Sequence, residues 1–272
     1  MKPAGHEAEM EIIILGSGTS HGVPSIDCML DGYANCPKNV CRESLGDPRH
    51  KRTRSSIVAA YNGRRVLVDV SSDFREQALR ERIPAIDAVL ITHAHADHIS
   101  GIPDIRSYTR EHAVPMYGSQ ESVDRIRQSF DYIFNPPEMR GGGIPRIELL
   151  AIDRPFELFG ETVIPLAVEH GSLRGAYGFR IGPLAYIPDL KTMPQESMDS
   201  LRGVRCLIID ALRDERPHST HIILPESIAL ARQIRPEKTY FTHLCHTIHY
   251  VADSGKLDDT MMFAYDGLKI TL

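Results

Sequence analysis

Six consecutive residues, His93-Ala94-His95-Ala96-Asp97-His98, put three imidazoles and a carboxylate on one short piece of chain. Neutral imidazole nitrogen and carboxylate oxygen are ligands for divalent zinc, and they also serve manganese or iron. His93 and His95, two positions apart in an extended turn, can point the same way and chelate one ion. Asp97 and His98 belong to the next bend and can turn towards a second. Three more residues of ligand type stand just past apolar runs that read as strands: His170 after Thr162–Val168, Asp189 after Leu184–Ile187 and His243 after Thr239–Thr242. If those strands share a sheet and run the same way, their ends gather along one edge, where a rigid scaffold lines a crevice. Taken singly, each of the three is an ordinary capping or surface group. Beside the histidine cluster they read as a metal centre.

Cys28, Cys36 and Cys41 lie in one irregular segment, and His246 sits three residues after His243. Three thiolates and an imidazole would make a closed tetrahedral zinc site and staple a segment with little core of its own. The irregular spacing also fits three unrelated thiols. Cys206 opens an apolar strand and reads as core, and Cys245 as a bystander beside the ligand turn. Pro48-Arg49-His50-Lys51-Arg52-Thr53-Arg54 is a basic stretch. Such a run is usually a solvated loop, but at a crevice edge it would attract phosphate. Arg54 and Ser55 are its members placed to approach the metals and bind substrate. Among His21, His112 and His249, His21 is the one expected to face the site. Asp69, near the end of a strand, reads as the group that orients a ligand histidine or its turn.

The elements that must position these residues are legible in outline. A first strand at Glu11–Leu15 runs into the turn Gly16-Ser17-Gly18-Thr19-Ser20-His21-Gly22. The pair Asn62-Gly63 joins the strands Ser55–Tyr61 and Arg65–Val70 as a hairpin. Ser71 or Ser72 would cap a helix running to about Arg82, with Phe74, Ala78 and Leu79 facing inward. Ala88–Thr92 reads as a buried strand feeding the histidine cluster. A helix is expected over Gln120–Phe130, with Val123, Ile126 and Phe130 on one face. Asn135–Pro145, with three consecutive glycines, reads as a loop and lid. Thr162–Val168 contains Pro165, which places it at a sheet edge or bulge. Cys206–Asp210 is a further strand, and Pro225–Ile234 a helix opening on a permitted first-turn proline. Alternating strands and helices imply an α/β or α+β layered domain.

Composition sets the bounds. With 272 residues, 42% hydrophobic and 25% charged, the chain has ordinary globular composition and room for one large domain, read as residues 11–272. Residues 1–10 read as a flexible extension, and Glu7 and Glu9 without an apolar run do not make an export signal. No stretch approaches the roughly 18 apolar residues of a membrane span, so no membrane partner is expected. A net charge of −5 gives no reason for bulk nucleic-acid binding. Five cysteines, an odd number, suit thiols kept reduced in a cytoplasm.

His-x-His-x-Asp-His followed by a distant His, Asp and His resembles the metallo-β-lactamase superfamily. The resemblance implies an αβ/βα four-layer sandwich with a two-metal site, zinc or manganese, at one edge of the β-core. His93, His95 and His170 would hold one ion, and Asp97, His98 and His243 the other, with Asp189 bridging. The opening Leu15-Gly16-Ser17-Gly18-Thr19-Ser20, with Gly22 and Pro24, resembles the phosphodiesterase branches, tRNase Z and the PhnP-type cyclic phosphodiesterases. The latter carry a similar three-cysteine, one-histidine zinc site, which supports the structural-zinc reading of Cys28, Cys36, Cys41 and His246. By the same resemblance His221, in Pro217-His218-Ser219-Thr220-His221, matches a non-ligand histidine that protonates the leaving oxygen, with His218 its rival. The implied reaction is hydrolysis of a small phosphodiester, cyclic or nucleotide, by a hydroxide held between the ions, with Asp97 part of the catalytic set. A tRNase Z-like nuclease, a thioesterase or lactamase, and a nucleotide-binding protein with an inactive site are the alternatives. The resemblance also suggests a homodimer.

Overall fold

The computed structural model describes residues 9–135 and 143–272. Residues 1–8 of the expected extension, and 136–142 of the expected lid, lie outside the described residues. Met10 does not belong to a flexible extension: it is buried, and its N–H bonds to the Leu272 carbonyl.

Two seven-stranded sheets pack face to face. The first holds β1 (Glu11–Gly16), β2 (Ser56–Tyr61), β3 (Arg64–Val68), β4 (Ala88–Leu90), β5 (Val114–Gly118), β6 (Ile147–Ala151) and, beside β1, β14 (Lys269–Thr271). The second holds β7 (Phe156–Leu158), β8 (Glu161–Ala167), β9 (Tyr177–Ile181), β10 (Leu184–Ile187), β11 (Cys206–Asp210), β12 (Lys238–Thr242) and β13 (Met261–Phe263). In the first sheet β3 to β6 pair parallel, and in the second β10 to β13 do. Strand periodicity builds the layers. In β11, Cys206 and Ile208 enter the core between the sheets, whereas Leu207 and Ile209 pack on the opposite face with Leu224, Ile228 and Ala231 of the helix Leu224–Ile234. On the far side, Val89 and Met116 pack with Phe74 and Ala78 of the helix Phe74–Glu81 and with Ile126 of the helix Gln120–Ser129. The result is the αβ/βα four-layer sandwich.

Several expected boundaries move for local reasons. The strand from Ala88 stops at Leu90 because the Thr92 N–H turns to the Asp69 carboxylate at 2.8 Å. Neither Ser71 nor Ser72 caps the next helix. The Ser71 hydroxyl accepts the Asp73 N–H, and the helix starts at Phe74. Leu79 is not inward but 63% exposed, on the stripe turned away from the sheet. Pro165 sits on β8 beyond the reach of its short neighbour β7, an edge position that needs no N–H donor. Gly16 and Gly18 are required by packing: a Cβ on the first would overlap the Arg54 carbonyl, and on the second would lie 2.9 Å from that of Arg52.

Among the described residues, no helix is long and apolar enough to cross a membrane.

Candidate metal centre and active site

β8 and β10, each antiparallel to β9, run the same way as β11 and β12, so the four C-terminal ends face one side. At or just past those ends stand His170, Asp189, Asp210 and His243. From the first sheet the parallel strands β3 and β4 end beside them in Asp69 and the His93–His98 cluster. The condition set by the sequence is met: the strands share a sheet, a direction and an edge.

The ligand atoms of His93, His95, His170 and Asp189 lie within 4.8 Å of one another, as do those of Asp97, His98 and His243. Asp189 stands between the two groups. Its Oδ2 is 3.1 Å from His93 Nε2 and 3.0 Å from His98 Nε2, while its Oδ1 is 3.1 Å from His243 Nε2. His93 Nε2 and His95 Nδ1 face each other at 3.0 Å. Most of these rings are fixed from behind. His93 Nδ1 meets Thr92 Oγ1 at 3.1 Å, His98 Nδ1 meets Asp69 Oδ2 at 2.7 Å, and His170 Nδ1 meets the Thr220 carbonyl at 2.9 Å. Engaging Nδ1 leaves Nε2 free to face inward, the arrangement metal-bound histidine uses. Asp69 has the orienting role its position suggested, and both it and His243 sit in the left-handed region, at φ 62° and 57°. Non-glycine residues there cost backbone energy that a functional site can justify.

The donor set fits divalent metal. His98 Nε2, His243 Nε2 and Asp189 Oδ1 are buried and stand 3.0–3.1 Å from a facing ligand atom without making a hydrogen bond, an arrangement expensive to maintain unless something else pairs with them. Burial pushes the His243 imidazole down to about 3 and that of His170 to about 4, so both are neutral, as ligands must be. Burial alone would raise Asp189, but His243, His98 and His93 hold it well below the carboxylate range.

His221 sits beside this centre and, like His98, has a carboxylate at its Nδ1. Its Nδ1 is 2.8 Å from Asp210 Oδ2, and its ring stacks on that of His243 at 4.7 Å. Burial opposes a charge on this ring, but the hydrogen bond and attraction to Asp210 outweigh it, and the pKa is raised. Burial likewise pushes Asp210 up to about 7, so the pair retains a proton near neutrality. His218 lies 5.2 Å away, ring to ring, with its Nδ1 taking the Thr220 N–H and no carboxylate behind it. Both histidines border a cleft of about 790 Å³, together with His21, Cys245 and Thr247. Asp210 is the residue the sequence reading missed. It closes the strand Cys206–Asp210 just as Asp189 follows Leu184–Ile187, and that strand-end signal was there to use.

His21 faces the cleft as expected, but Arg54 and Ser55 do not line it. The Arg54 guanidinium is paired with Asp73 at 2.8 Å and with the Ser20 carbonyl, and Ser55 donates to the Gly18 carbonyl. Both brace the glycine turn instead of offering donors to substrate. Arg52, from the same basic stretch, is buried and donates to the Cys245 and Ile248 carbonyls, tying down the turn that carries His243 and His246.

Cys28, Cys36, Cys41 and His246 converge, with Sγ and Nδ1 atoms within 4.8 Å of one another. Burial raises the Cys36 thiol and pushes that of Cys41 up to about 12, so gathering thiolates here calls for a cation. Glu43, His50 and His249 form another cluster nearby. There His249 Nδ1 accepts from the Val251 and Ala252 N–H groups, so its proton belongs on Nε2, 2.9 Å from Glu43. That is a hydrogen bond and not a ligand set.

The family model for the beta-lactamase superfamily domain matches residues 64–244. A crystal structure described as a new diphosphatase from the PhnP family is 38% identical, covers 97% of both chains and superposes with a TM-score of 0.85. The zinc-bound PqqB of Methylobacterium extorquens is 22% identical, covers 96% of this chain and all of its own, and has a TM-score of 0.77, a likeness of fold. An octanoyltransferase of Porphyromonas gingivalis is 36% identical over 238 residues, 87% of this chain. The chain spans only 46% of that protein's length.

Proposed function

The chain belongs to the metallo-β-lactamase superfamily, within it to the PhnP family, and we propose that it hydrolyses small phosphodiesters, a cyclic ribose phosphate or a nucleotide diester. It is a metal-dependent hydrolase. His93, His95 and His170 would hold one divalent ion and Asp97, His98 and His243 the other, with Asp189 shared. Bound there, zinc or manganese would activate water as nucleophile and neutralise charge on the phosphoryl oxygens. Cys28, Cys36, Cys41 and His246 would hold a structural zinc.

The observation that carries the substrate class is the Asp210–His221 pair. An alkoxide leaves badly unless protonated, and a proton-bearing imidazole facing the cleft supplies that proton. A thiolate leaves without help, so a thioesterase would have little use for the pair. The cleft is the size of a small-molecule site, which favours a small substrate over an RNA. Asp210 acts as a positioning residue: it occupies Nδ1, leaving Nε2 as the free nitrogen, and favours the charged form of the ring.

Cleavage of a diphosphate is the second reading, favoured by the diphosphatase that is 38% identical. Phosphate is a better leaving group than an alkoxide, so the two readings differ in how much they need His221. The test is hydrolysis of a nitrophenyl diester, a cyclic ribose phosphate and a nucleoside diphosphate sugar. The protein is first stripped with chelator, then reloaded with manganese or zinc, beside an Asp97→Ala control. Turnover of the diesters that returns with metal and is absent from the control supports the proposal. Turnover of the diphosphate alone selects the second reading, and none with both ions demonstrably bound overturns both.

A further inference from the structure

On the flank of the first sheet, away from the metal centre, two adjoining clefts of about 460 and 520 Å³ share Arg106 and Ser107. Their linings differ in kind. The first has Leu79 and Tyr108 on its apolar floor, with the Asp104 carboxylate also in its lining. The second is polar, ringed by Arg106, Arg110 and Arg146. Arg75 and Arg82 stand over the first. All five arginines are exposed, and none forms an ion pair among the described residues. Elsewhere in this part of the chain, Arg49, Arg54, Arg64 and Arg80 are each paired with a carboxylate.

Five guanidinium groups without an ion-pair partner among the described residues line these two clefts in a chain of net charge −5, and an anion bound there would pair with them. Guanidinium is the side chain that grips phosphate with paired donors. An apolar floor beside a ring of guanidinium groups suits a ligand with an aromatic base and phosphates. We propose that the paired clefts bind a nucleotide, its base against Leu79 and Tyr108 and its phosphates among Arg106, Arg110 and Arg146. The exposure of Leu79 on the helix Phe74–Glu81 then has a reason: it is part of the floor. None of these residues lines the cleft beside His221, so this site is separate from the catalytic one and independent of what that one hydrolyses.

The test is fluorescence anisotropy of a fluorescent ADP on the metal-loaded protein and on Asp97→Ala, with Arg106→Ala and Arg146→Ala made in each background. Saturable binding that survives Asp97→Ala and weakens about tenfold with either arginine removed is expected, the loss of one charge-assisted contact. Turnover of a nitrophenyl diester by the two arginine variants should match that of the parent protein. Inorganic tripolyphosphate and adenosine, added as competitors, should each displace the probe more weakly than ADP. Binding abolished by Asp97→Ala would assign the ADP to the metal centre and overturn the proposal. Tripolyphosphate equal to ADP would overturn it in favour of a simple anion patch, and so would probe affinity indifferent to both arginine changes.

Discussion

His221→Ala separates a proton donor from a metal ligand. The ring lies close enough to Asp189 and His243 to be either, since the ligand atoms of the three fall within 4.8 Å of one another. Asp210 occupies its Nδ1 at 2.8 Å and sustains the charged ring, but Asp69 holds the ligand His98 in the same way at 2.7 Å, so metal content must be read beside the rate. A general acid contributes about 10²–10⁴ in rate, which is about 3–5 kcal/mol of barrier. That contribution is needed only where the leaving oxygen must be protonated. For a cyclic ribose phosphate, kcat should therefore fall by about 10²–10⁴. For a nitrophenyl diester, whose leaving group departs unaided, the fall should stay below about tenfold. The assay is steady-state turnover on both substrates, with metal content measured on the same preparation. Equal losses on the two substrates would refute the acid role. Loss of an equivalent of metal would make His221 a ligand instead.

Other perturbations probe the groups around it. Asp210→Asn removes the charge that raises the His221 pKa, so the alkaline limb of the pH–rate profile should move to lower pH with metal content intact; an unmoved limb would count against the pair. Asp189→Ala should cost occupancy of at least one ion, and full occupancy by metal analysis would refute a shared ligand. Arg52→Met leaves the Cys245 and Ile248 carbonyls without their donor and should destabilise the fold by on the order of 3 kcal/mol in denaturant titration. Lys38 bridges Asp214 at 2.7 Å and Asp253 at 2.8 Å. Burial pushes Asp253 up, but its hydrogen bonds, that from Lys38 first, pull it below the usual range. This contribution is present above the ordinary carboxylate pKa of about 4 and is lost as pH falls through the lowered value. Lys38→Met should therefore be less stable by about 1 kcal/mol at pH 7, given partial exposure, and the gap should close towards pH 3. A gap independent of pH in thermal melts would show that packing, and not charge, carries it.

The ligands were legible because metal chemistry admits few side chains and the fold repeats one placement. Asp69, Asp189, Asp210 and His243 all stand at or just past the C-terminal ends of strands, so local apolar pattern followed by a polar residue was enough to find most of them. What stayed hidden is whatever depends on a partner distant in sequence. Arg54 could be seen to be basic and near a strand start, but not that Asp73 would come within 2.8 Å and claim it. Thr92 reads as the end of a strand until Asp69, from the neighbouring strand's end, takes its N–H. The outermost strands, β7 and β13, have only three residues each, too short for periodicity to register against their loops.

Leu79 shows the same limit from the other side. Helical spacing alone placed it near the buried stripe of Phe74 and Ala78, because a helix of eight residues gives periodicity too few turns to fix the boundary of that stripe. The sheet beneath settles the boundary: Phe74 and Ala78 reach Val89 and Met116, while Leu79 turns out beside Arg75 and Arg82. An apolar side chain left in water costs stability relative to burial, and its arginine neighbours have no carboxylate partners among the described residues. Two unsatisfied features of opposite chemistry at one place are accounted for by a ligand that is apolar at one end and anionic at the other. The same logic that reads His98 Nε2, His243 Nε2 and Asp189 Oδ1 as awaiting a cation reads this flank as awaiting a nucleotide. In both places the groups that find no partner among the described residues define the chemistry of the partner they would take.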